Sequence, residues 1–299
     1  MEKRITVLGM PMNGGQPKPG THLGPEALRN AGLIERLREL NPMLIDLGDV
    51  NLKEFSPETE GSGLKNLDYV VSSCTDLVGA INKVDVKKEF LLVLGGDHSM
   101  TIGTLAGIAN RYDNLGVIWF DAHGDLNTSE TSPTGNIHGM SLAVSLGIGE
   151  ESLVNIGDYQ PKIRFENVVL IGARDLDEGE KVLIENLGIK VYTMEDVLRL
   201  GMDVVVSESI ERLSGCDGVH LSLDVDGFCP MLTPGTGTRV PDGVTYDDGL
   251  VFLESLCEAN IITSMEIVEI NPLLESEENK TALETVELVM ALFDRKSKD

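Results

Sequence analysis

The sequence predicts a single α/β domain over residues 1–299, a doubly wound three-layer α/β/α fold with a mainly parallel, eight-stranded sheet. Short runs rich in Val, Ile and Leu alternate with amphipathic segments, and several of these runs are apolar throughout. Parallel strands that are buried on both faces have this composition, and strands that alternate with helices favour a doubly wound sheet. We find no internal repeat or linker that would divide the chain.

Eight short apolar runs are the strand candidates. In chain order they cover residues 5–8, 43–47, 90–94, 116–120, 168–171, 190–192, 219–223 and 262–268. The helix candidates between them are a segment opened by Pro25 that continues past Leu37, and the segments 67–84, 99–111, 178–186, 202–213 and 250–259. Thr245 is the predicted cap of the last of these, and Thr281 with Glu284 predicts a capping box that opens a final helix.

Charge and cysteine usage exclude several classes of function. The chain carries 24 Lys+Arg against 49 Asp+Glu, a net charge of −25. Such a surface repels phosphate backbones and anionic lipid, so we expect neither a nucleic-acid nor a membrane partner. The apolar stretch at the start is too short for a signal peptide. Four cysteines without a C-x-x-C pair favour reduced thiols and a cytoplasmic location.

Potential metal ligands directly follow three of the predicted strands. These ligands are His98 after strand 90–94, Asp121, His123 and Asp125 after strand 116–120, and Asp224 and Asp226 after strand 219–223. Ligands of such sheets bind beyond the carboxyl ends of the strands, and alternate residues of an extended segment point to one side. We therefore expect the six side chains to converge. Crowded carboxylates repel one another unless cations neutralise them, and a mixed carboxylate and imidazole set suits Mn(II).

The other histidines have different expected roles. His220 lies inside an apolar run, which favours a core position. His22 lies in a loop rich in Gly and Pro and could be structural or close to a substrate. His138 follows a polar loop beyond the D-x-H-x-D segment, where an imidazole could shuttle protons near neutral pH.

Six motifs are spread along nearly the whole chain. They are GGDHS at 95–99, DAHGDLNT at 121–128, GNIHG at 135–139, RDLDEGE at 174–180, SLDVDG at 222–227 and EINP at 269–272. Their content and order resemble those of arginases in the ureohydrolase superfamily, and RDLDEGE is the motif that points to arginases within it. The resemblance implies hydrolysis of the guanidinium group of L-arginine to L-ornithine and urea, by a hydroxide bridging two Mn(II) ions per chain.

The resemblance also implies a ligand set for each metal. One ion would be held by His98, Asp121, Asp125 and Asp224, and the other by Asp121, His123, Asp224 and Asp226, so that Asp121 and Asp224 bridge.

Catalytic roles follow from the same resemblance. Asp125 would move a proton from the nucleophile to the departing amine, and His138 would exchange protons with solvent or complete protonation of the amino group. Glu269 would pair with the guanidinium nitrogens, and Thr238 would support the same end of the substrate.

The far end of the substrate has its own implied contacts. Asn127, Thr134 and Asn136 would bind substrate, the first two at the α-carboxylate. Asp177 would receive the α-ammonium, with Glu180 assisting through water. Asp177 and Glu180 also fit the capped start of a helix, and the two interpretations are compatible.

Two positions depart from the family pattern. Phe228-Cys229 stands where the family has Leu-Asp, and we expect the Cys229 thiol to be packed. Asp247 stands where many arginases carry an interface arginine, which leaves the implied trimer or hexamer open.

Three alternative functions remain open at this point. An agmatinase-like or other guanidino-acid ureohydrolase is the nearest, although agmatine has no carboxylate for Asn127 and Thr134 to bind. A zinc deacetylase of related fold would need fewer ligands than the six available. A catalytically silent metal-binding homologue would keep the ligands without turnover.

Overall fold

A computed structural model describes residues 3–57, 63–276 and 279–294. The ends of the predicted domain, residues 1–2 and 295–299, lie outside the described residues. Eight parallel strands form one sheet in the order β2-β1-β3-β8-β7-β4-β5-β6. They are β1 Arg4–Gly9, β2 Ile45–Asp49, β3 Glu89–Leu94, β4 Leu115–Phe120, β5 Val168–Ala173, β6 Lys190–Thr193, β7 Gly218–Asp224 and β8 Ile262–Val268. All eight strand predictions are confirmed, and the predicted sheet is parallel throughout.

Helices connect the strands. The α-helices are α1 Gly24–Asn30, α2 Leu33–Leu40, α3 Leu67–Ile81, α4 Thr101–Ala109, α5 Ser141–Ser145, α6 Glu151–Val154, α7 Glu178–Leu187, α8 Met194–Leu200, α9 Met202–Leu213, α10 Tyr246–Ala259 and α11 Lys280–Phe293. The single helix predicted from Pro25 past Leu37 is wrong, because Gly32 adopts a left-handed φ of 86° and separates α1 from α2.

Alternate residues of the strands are buried in two different cores, one on each face of the sheet. In β3, Phe90 and Leu92 pack with α1, α2 and α8–α11, whereas Leu91 and Val93 pack with α3–α7. This period of two on apolar strands is the physical basis of the three-layer arrangement. The predicted doubly wound α/β/α fold is confirmed.

The predicted start of the last helix is wrong in detail. The helix α11 begins at Lys280, one residue before Thr281, and Asn279 precedes it in the left-handed region. The Thr281 hydroxyl donates to Glu275 Oε2 (2.7 Å) and accepts from the Gly235 N–H (2.6 Å). A tertiary contact therefore uses the side chain that the capping box required. At α10 the prediction is confirmed, since Thr245 Oγ1 accepts the Asp248 N–H at 3.2 Å.

The order of the strands brings the predicted ligands together. The strands β3, β8, β7 and β4 are consecutive neighbours in the sheet, although they are far apart in sequence. Their carboxyl ends therefore meet at one edge. Among the described residues, none of the helices is long and apolar enough to cross a bilayer.

Candidate metal centre and active site

The carboxyl ends of the four central strands form the floor of one cleft. His98 follows β3, Asp121 follows β4, Asp224 ends β7 and Glu269 follows β8. All four side chains are buried. The floor therefore carries acids and imidazoles where the topology of a parallel sheet leaves a crevice.

A first group of ligands surrounds His98. Its Nδ1 lies 3.1 Å from Asp121 Oδ2, 3.0 Å from Asp125 Oδ2 and 3.1 Å from Asp224 Oδ2. A ring nitrogen has one proton or one lone pair, so it cannot satisfy three carboxylate oxygens at once. One imidazole nitrogen and three carboxylate oxygens that lie this close together are arranged like the ligands of a metal cation.

A second group surrounds His123. Its Nδ1 lies 3.3 Å from Asp121 Oδ1 and 3.2 Å from Asp226 Oδ2. Asp121 gives one oxygen to each group, so the two groups share a carboxylate. The structure thus brings all six predicted ligands together, with Asp224 in the group around His98.

Both groups fit divalent cations. Asp125 Oδ2 is buried, and apart from the 3.0 Å approach of His98 Nδ1 it has no hydrogen-bond partner within the described part of the chain. Burial, together with the charge of Asp121, raises the pKa of Asp125 to about 6. Burial also raises the pKa of Asp224 well above its usual range, with Asp226 and Asp121 adding to the effect. These raised pKa values mean that ionised Asp125 and Asp224 are unfavourable without a positive charge beside them. A divalent cation would supply that charge, and the carboxylate and imidazole donors suit a binuclear metal site.

The predicted extended conformation of the D-x-H-x-D segment is wrong. The strand β4 ends at Phe120, and Asp125 has a left-handed φ of 50°. The segment Val225–Gly227 is likewise a 3₁₀ turn, in which Asp224 Oδ1 accepts the Asp226 N–H at 2.8 Å. Turns at the strand ends, and not strand pleating, aim these ligands inward.

Several buried side chains that support the ligands were missed from sequence. Trp119 Nε1 donates to Asp121 Oδ2 (2.9 Å), and its rings stack on His98 with centroids 4.3 Å apart. Ser222 Oγ lies 2.9 Å from His98 Nε2 and donates to Glu266 Oε1 at 2.8 Å. A usable signal existed, because Trp119 and Ser222 each precede a ligand by two residues. Such partners orient metal-binding groups and tune them.

The structure places the other three histidines in three different environments. His220 is buried in the core, as predicted, with Nδ1 2.9 Å from Ser264 Oγ. His22 is half-buried, and its Nδ1 has no hydrogen-bond partner among the described residues. His138 lies in the cleft, where its Nδ1 is 3.3 Å from Glu269 Oε1. Although burial opposes it, the Glu269 carboxylate raises the pKa of His138.

Glu269 and Thr238 are held by contacts around the floor. Glu269 has a left-handed φ of 66°, and its Oε1 also accepts the His98 N–H at 2.8 Å. A non-glycine residue in this region costs free energy, and such strain concentrates at functional sites. Thr238 Oγ1 donates to Asp226 Oδ2 at 2.7 Å, so its contact is with a candidate metal ligand.

The outer wall of the same cleft carries the predicted substrate contacts. Asn127 Nδ2 donates to Asp177 Oδ2 at 2.8 Å, and Asp177 is exposed at the start of α7. Thr134 is also exposed, whereas Asn136 is buried and its Oδ1 accepts from Lys65 Nζ at 3.0 Å. All four side chains line the cleft together with His123 and Asp224.

Glu180 is engaged by the main chain. Its Oε2 accepts the Asp177 N–H at 2.8 Å, and its Oε1 accepts the Leu126 N–H at 3.0 Å. Burial raises the pKa of Glu180 to about 7. The capped-helix interpretation is therefore confirmed for this residue, which also joins α7 to the loop that carries Asp125.

These features define a class of protein, an all-parallel α/β fold with a candidate binuclear metal centre at the carboxyl edge of its sheet. The comparisons with known proteins narrow this class. The model of the Arginase family matches residues 3–294. The chain is therefore a member of the arginase family and a hydrolase of the arginase type.

Individual relatives agree over almost their whole length. The arginase of Bacillus subtilis strain 168 is 55% identical over 296 residues, 99% of each chain. The crystal structure of the Bacillus caldovelox arginase is 52% identical and has a TM-score of 0.94, with 99% of each chain covered. The Entamoeba histolytica arginase, solved in complex with L-ornithine, is 34% identical with a TM-score of 0.91, covering 97% of this chain and 98% of the other.

Proposed function

We propose that this chain hydrolyses the guanidinium group of L-arginine to L-ornithine and urea, with two Mn(II) ions as its cofactor. One observation carries the proposal: a single cleft has two metal-ligand groups on its floor and the paired Asn127 and Asp177 on its wall. The floor suits activation of water, and the wall offers partners for the charged groups at the other end of an amino acid.

Six side chains would hold the two ions. By the family resemblance, His98, Asp121, Asp125 and Asp224 would hold one ion, and Asp121, His123, Asp224 and Asp226 would hold the other. The contacts around His98 and around His123 support this assignment for all but the second role of Asp224. When bound, the ions supply Lewis acidity that makes a water molecule nucleophilic near neutral pH.

The chain's own groups supply orientation and proton transfer. Glu269 presents its buried carboxylate at the floor, where it pairs with the planar guanidinium and turns its carbon toward the nucleophile. Asp125, whose buried Oδ2 lies 3.0 Å from His98 Nδ1, would accept the proton of the attacking water and pass it to the departing amine. His138 is partly exposed, with 17% of its side chain accessible, so it exchanges protons between the floor and solvent.

The wall provides specificity for the amino-acid end. The exposed Asp177 carboxylate pairs with the α-ammonium, and Asn127 and Thr134 donate to the α-carboxylate. Asn136 contributes a further polar contact from the same loop. Agmatine lacks the carboxylate, so it leaves these donors without a partner, which costs binding free energy.

A metal-reconstituted urea assay tests the proposal. We expect urea and ornithine from L-arginine after addition of Mn(II), little urea from agmatine, and two bound ions per chain on the same sample. His138→Asn, which removes the proton shuttle but none of the ligands, should keep two ions and lose most of the turnover. Equal rates with agmatine would contradict the substrate, and metal-independent turnover would contradict the mechanism.

The assembly is proposed on the family resemblance alone. We propose a homo-oligomer, a trimer or a hexamer, located in the cytoplasm. Asp247, which replaces the usual interface arginine, is exposed in the first turn of α10. Cys229, the other position that departs from the family pattern, is half-buried. Light scattering on the full chain measures the oligomeric state, and a monomer at micromolar concentration would contradict this proposal.

A further inference from the structure

Arg174 opens the RDLDEGE motif, but the proposed reaction gives it no role. Its guanidinium group donates hydrogen bonds to main-chain carbonyl oxygens. The acceptors are Pro241 O from Nε (2.9 Å), Gly227 O (3.1 Å) and Gly172 O (3.2 Å) from Nη1, and Asp226 O (2.8 Å), Val240 O (2.9 Å) and Phe228 O (3.2 Å) from Nη2. The six acceptors exceed the five N–H groups of a guanidinium, so one N–H of Nη2 is shared between two carbonyl oxygens, and only a planar fork of donors reaches so many at once.

These carbonyl groups belong to chain segments that lie next to the metal group of Asp121, His123 and Asp226. The turn 226–228 follows β7, and residues 240–241 lie near the far end of the long loop that also carries Thr238. The Arg174 N–H donates to Ala122 O (2.8 Å), and the Ala122 N–H donates to Asp226 Oδ1 (3.3 Å). Arg174 therefore connects the main chain beside Asp121 and His123 with the turn that presents Asp226.

The partners of this arginine are unusual for so acidic a chain. Within the part of the chain that the structure describes, its side-chain hydrogen bonds all go to main-chain carbonyl groups, and it forms no ion pair with a carboxylate. The side chain is half-buried. Because no carboxylate pairs with it, its positive charge can act on the nearby acids of the floor. The planar guanidinium meanwhile fixes the positions of the carbonyl groups that it contacts.

We propose that Arg174 is the positioning residue of the metal group formed by Asp121, His123 and Asp226, an inference that rests on the binuclear centre of the proposed function. By holding the 226–228 turn against residues 240–241, the guanidinium keeps the Asp226 carboxylate directed at His123, 3.2 Å away, before an ion arrives. The group around His98 has its own supporting partners, Trp119 and Ser222, so we expect it to depend less on Arg174.

Arg174→Lys tests this inference with Mn(II) alone as the probe. Lysine keeps the charge but cannot form the planar fork, so one ion should bind as before and the other about tenfold or more weakly in a calorimetric titration of the metal-free full chain. The paramagnetic resonance spectrum should change from that of a coupled manganese pair to that of a single ion at stoichiometric loading. Arg29→Lys is the matched control, because Arg29 is also half-buried but pairs with Asp46 and Asp49 at the sheet edge.

A second variant disturbs the same contacts without removing the arginine. A Cβ at Gly243 would collide with Phe228 O and lie 2.6 Å from Arg174 Nη2, so Gly243→Ala should weaken the same ion if Arg174→Lys proves too unstable to titrate. Equal weakening of both ions, or two ions bound with unaltered affinity, overturns the inference. A wild-type chain that binds one ion contradicts the binuclear centre itself, which separates failure of the proposed function from failure of this inference.

Discussion

The floor and the outer wall of the cleft differ in how their residues are held. On the floor, Asp121 and Asp226 are buried, and ligands contact residues more than 100 positions away, as His98 does with Asp224. On the wall, Asp177 and Thr134 are exposed, and Thr134 is held by contacts within its own loop. The floor is therefore a property of the whole sheet, whereas the wall belongs to one loop and the start of one helix. A protein built in this way can change its substrate without rebuilding its metal centre.

The largest effect is expected where the two metal groups share a side chain. Asp121→Asn removes the carboxylate that contacts both His98 and His123. We expect loss of both ions and a fall in urea formation of about a thousandfold, equivalent to ~4 kcal/mol of transition-state stabilisation. Metal analysis and initial rates measure it. Asp76→Asn is the control, because that acid is exposed on α3, away from the cleft. A variant that keeps one ion tightly would show that the groups are independent.

The next largest effect is a dependence of the free energy of unfolding on pH, caused by an acid of the floor. In the metal-free chain the pKa of Asp125 is raised from 3.8 to about 6 by burial and by the charge of Asp121. The folded state then binds a proton that the unfolded state has released, so the free energy of unfolding falls as pH rises from about 4 to about 6, by roughly 3 kcal/mol.

Thermal melts of the metal-free chain at pH 4 and pH 7.5 measure this dependence. Mn(II) should raise the melting temperature more at pH 7.5 than at pH 4, because the ion takes the place of the proton. Asp125→Asn should flatten the metal-free pH dependence. A metal-free chain that becomes more stable over this interval would show that Asp125 is ionised in the fold without a cation.

A smaller effect is expected on the wall. Asn127→Ala removes the amide that holds Asp177 and that we propose binds the substrate carboxylate. We expect kcat/KM for L-arginine to fall about 10- to 100-fold, while the value for agmatine changes little and two ions stay bound. Asn110→Ala, at the exposed end of α4, is the matched control. Loss of metal in Asn127→Ala would contradict the separation of wall from floor.

The smallest effect is expected at the junction of the two regions. Glu180→Gln replaces one of two acceptor oxygens used by the Leu126 and Asp177 N–H groups. At pH 8, above its pKa of about 7, we expect a loss of about 1 kcal/mol in urea unfolding and an almost unchanged KM. Glu185→Gln on the exposed side of α7 is the control. A large rise in KM without loss of stability would favour the water-mediated substrate role instead.

Features that depend only on residues close together in sequence could be predicted from the sequence. The apolar strands are short and separated by turns, so their positions follow from composition. The six candidate ligands could be predicted to converge because three motifs place them directly after strands. The helix break at Gly32 and the side-chain contact of Thr281 were not predicted, because a left-handed glycine and a tertiary hydrogen bond overrode the local pattern.

By itself, the sequence determined the fold class, the ligand chemistry and the family, since these depend on residue types and on their order along the chain. Only the tertiary structure decided that β3, β8, β7 and β4 are neighbours, that turns aim the acids inward, and that Arg174 holds the turn after Asp226. The reason is physical, because strand neighbours and main-chain hydrogen bonds join residues far apart in sequence, and their free energy is set by packing and not by local propensity.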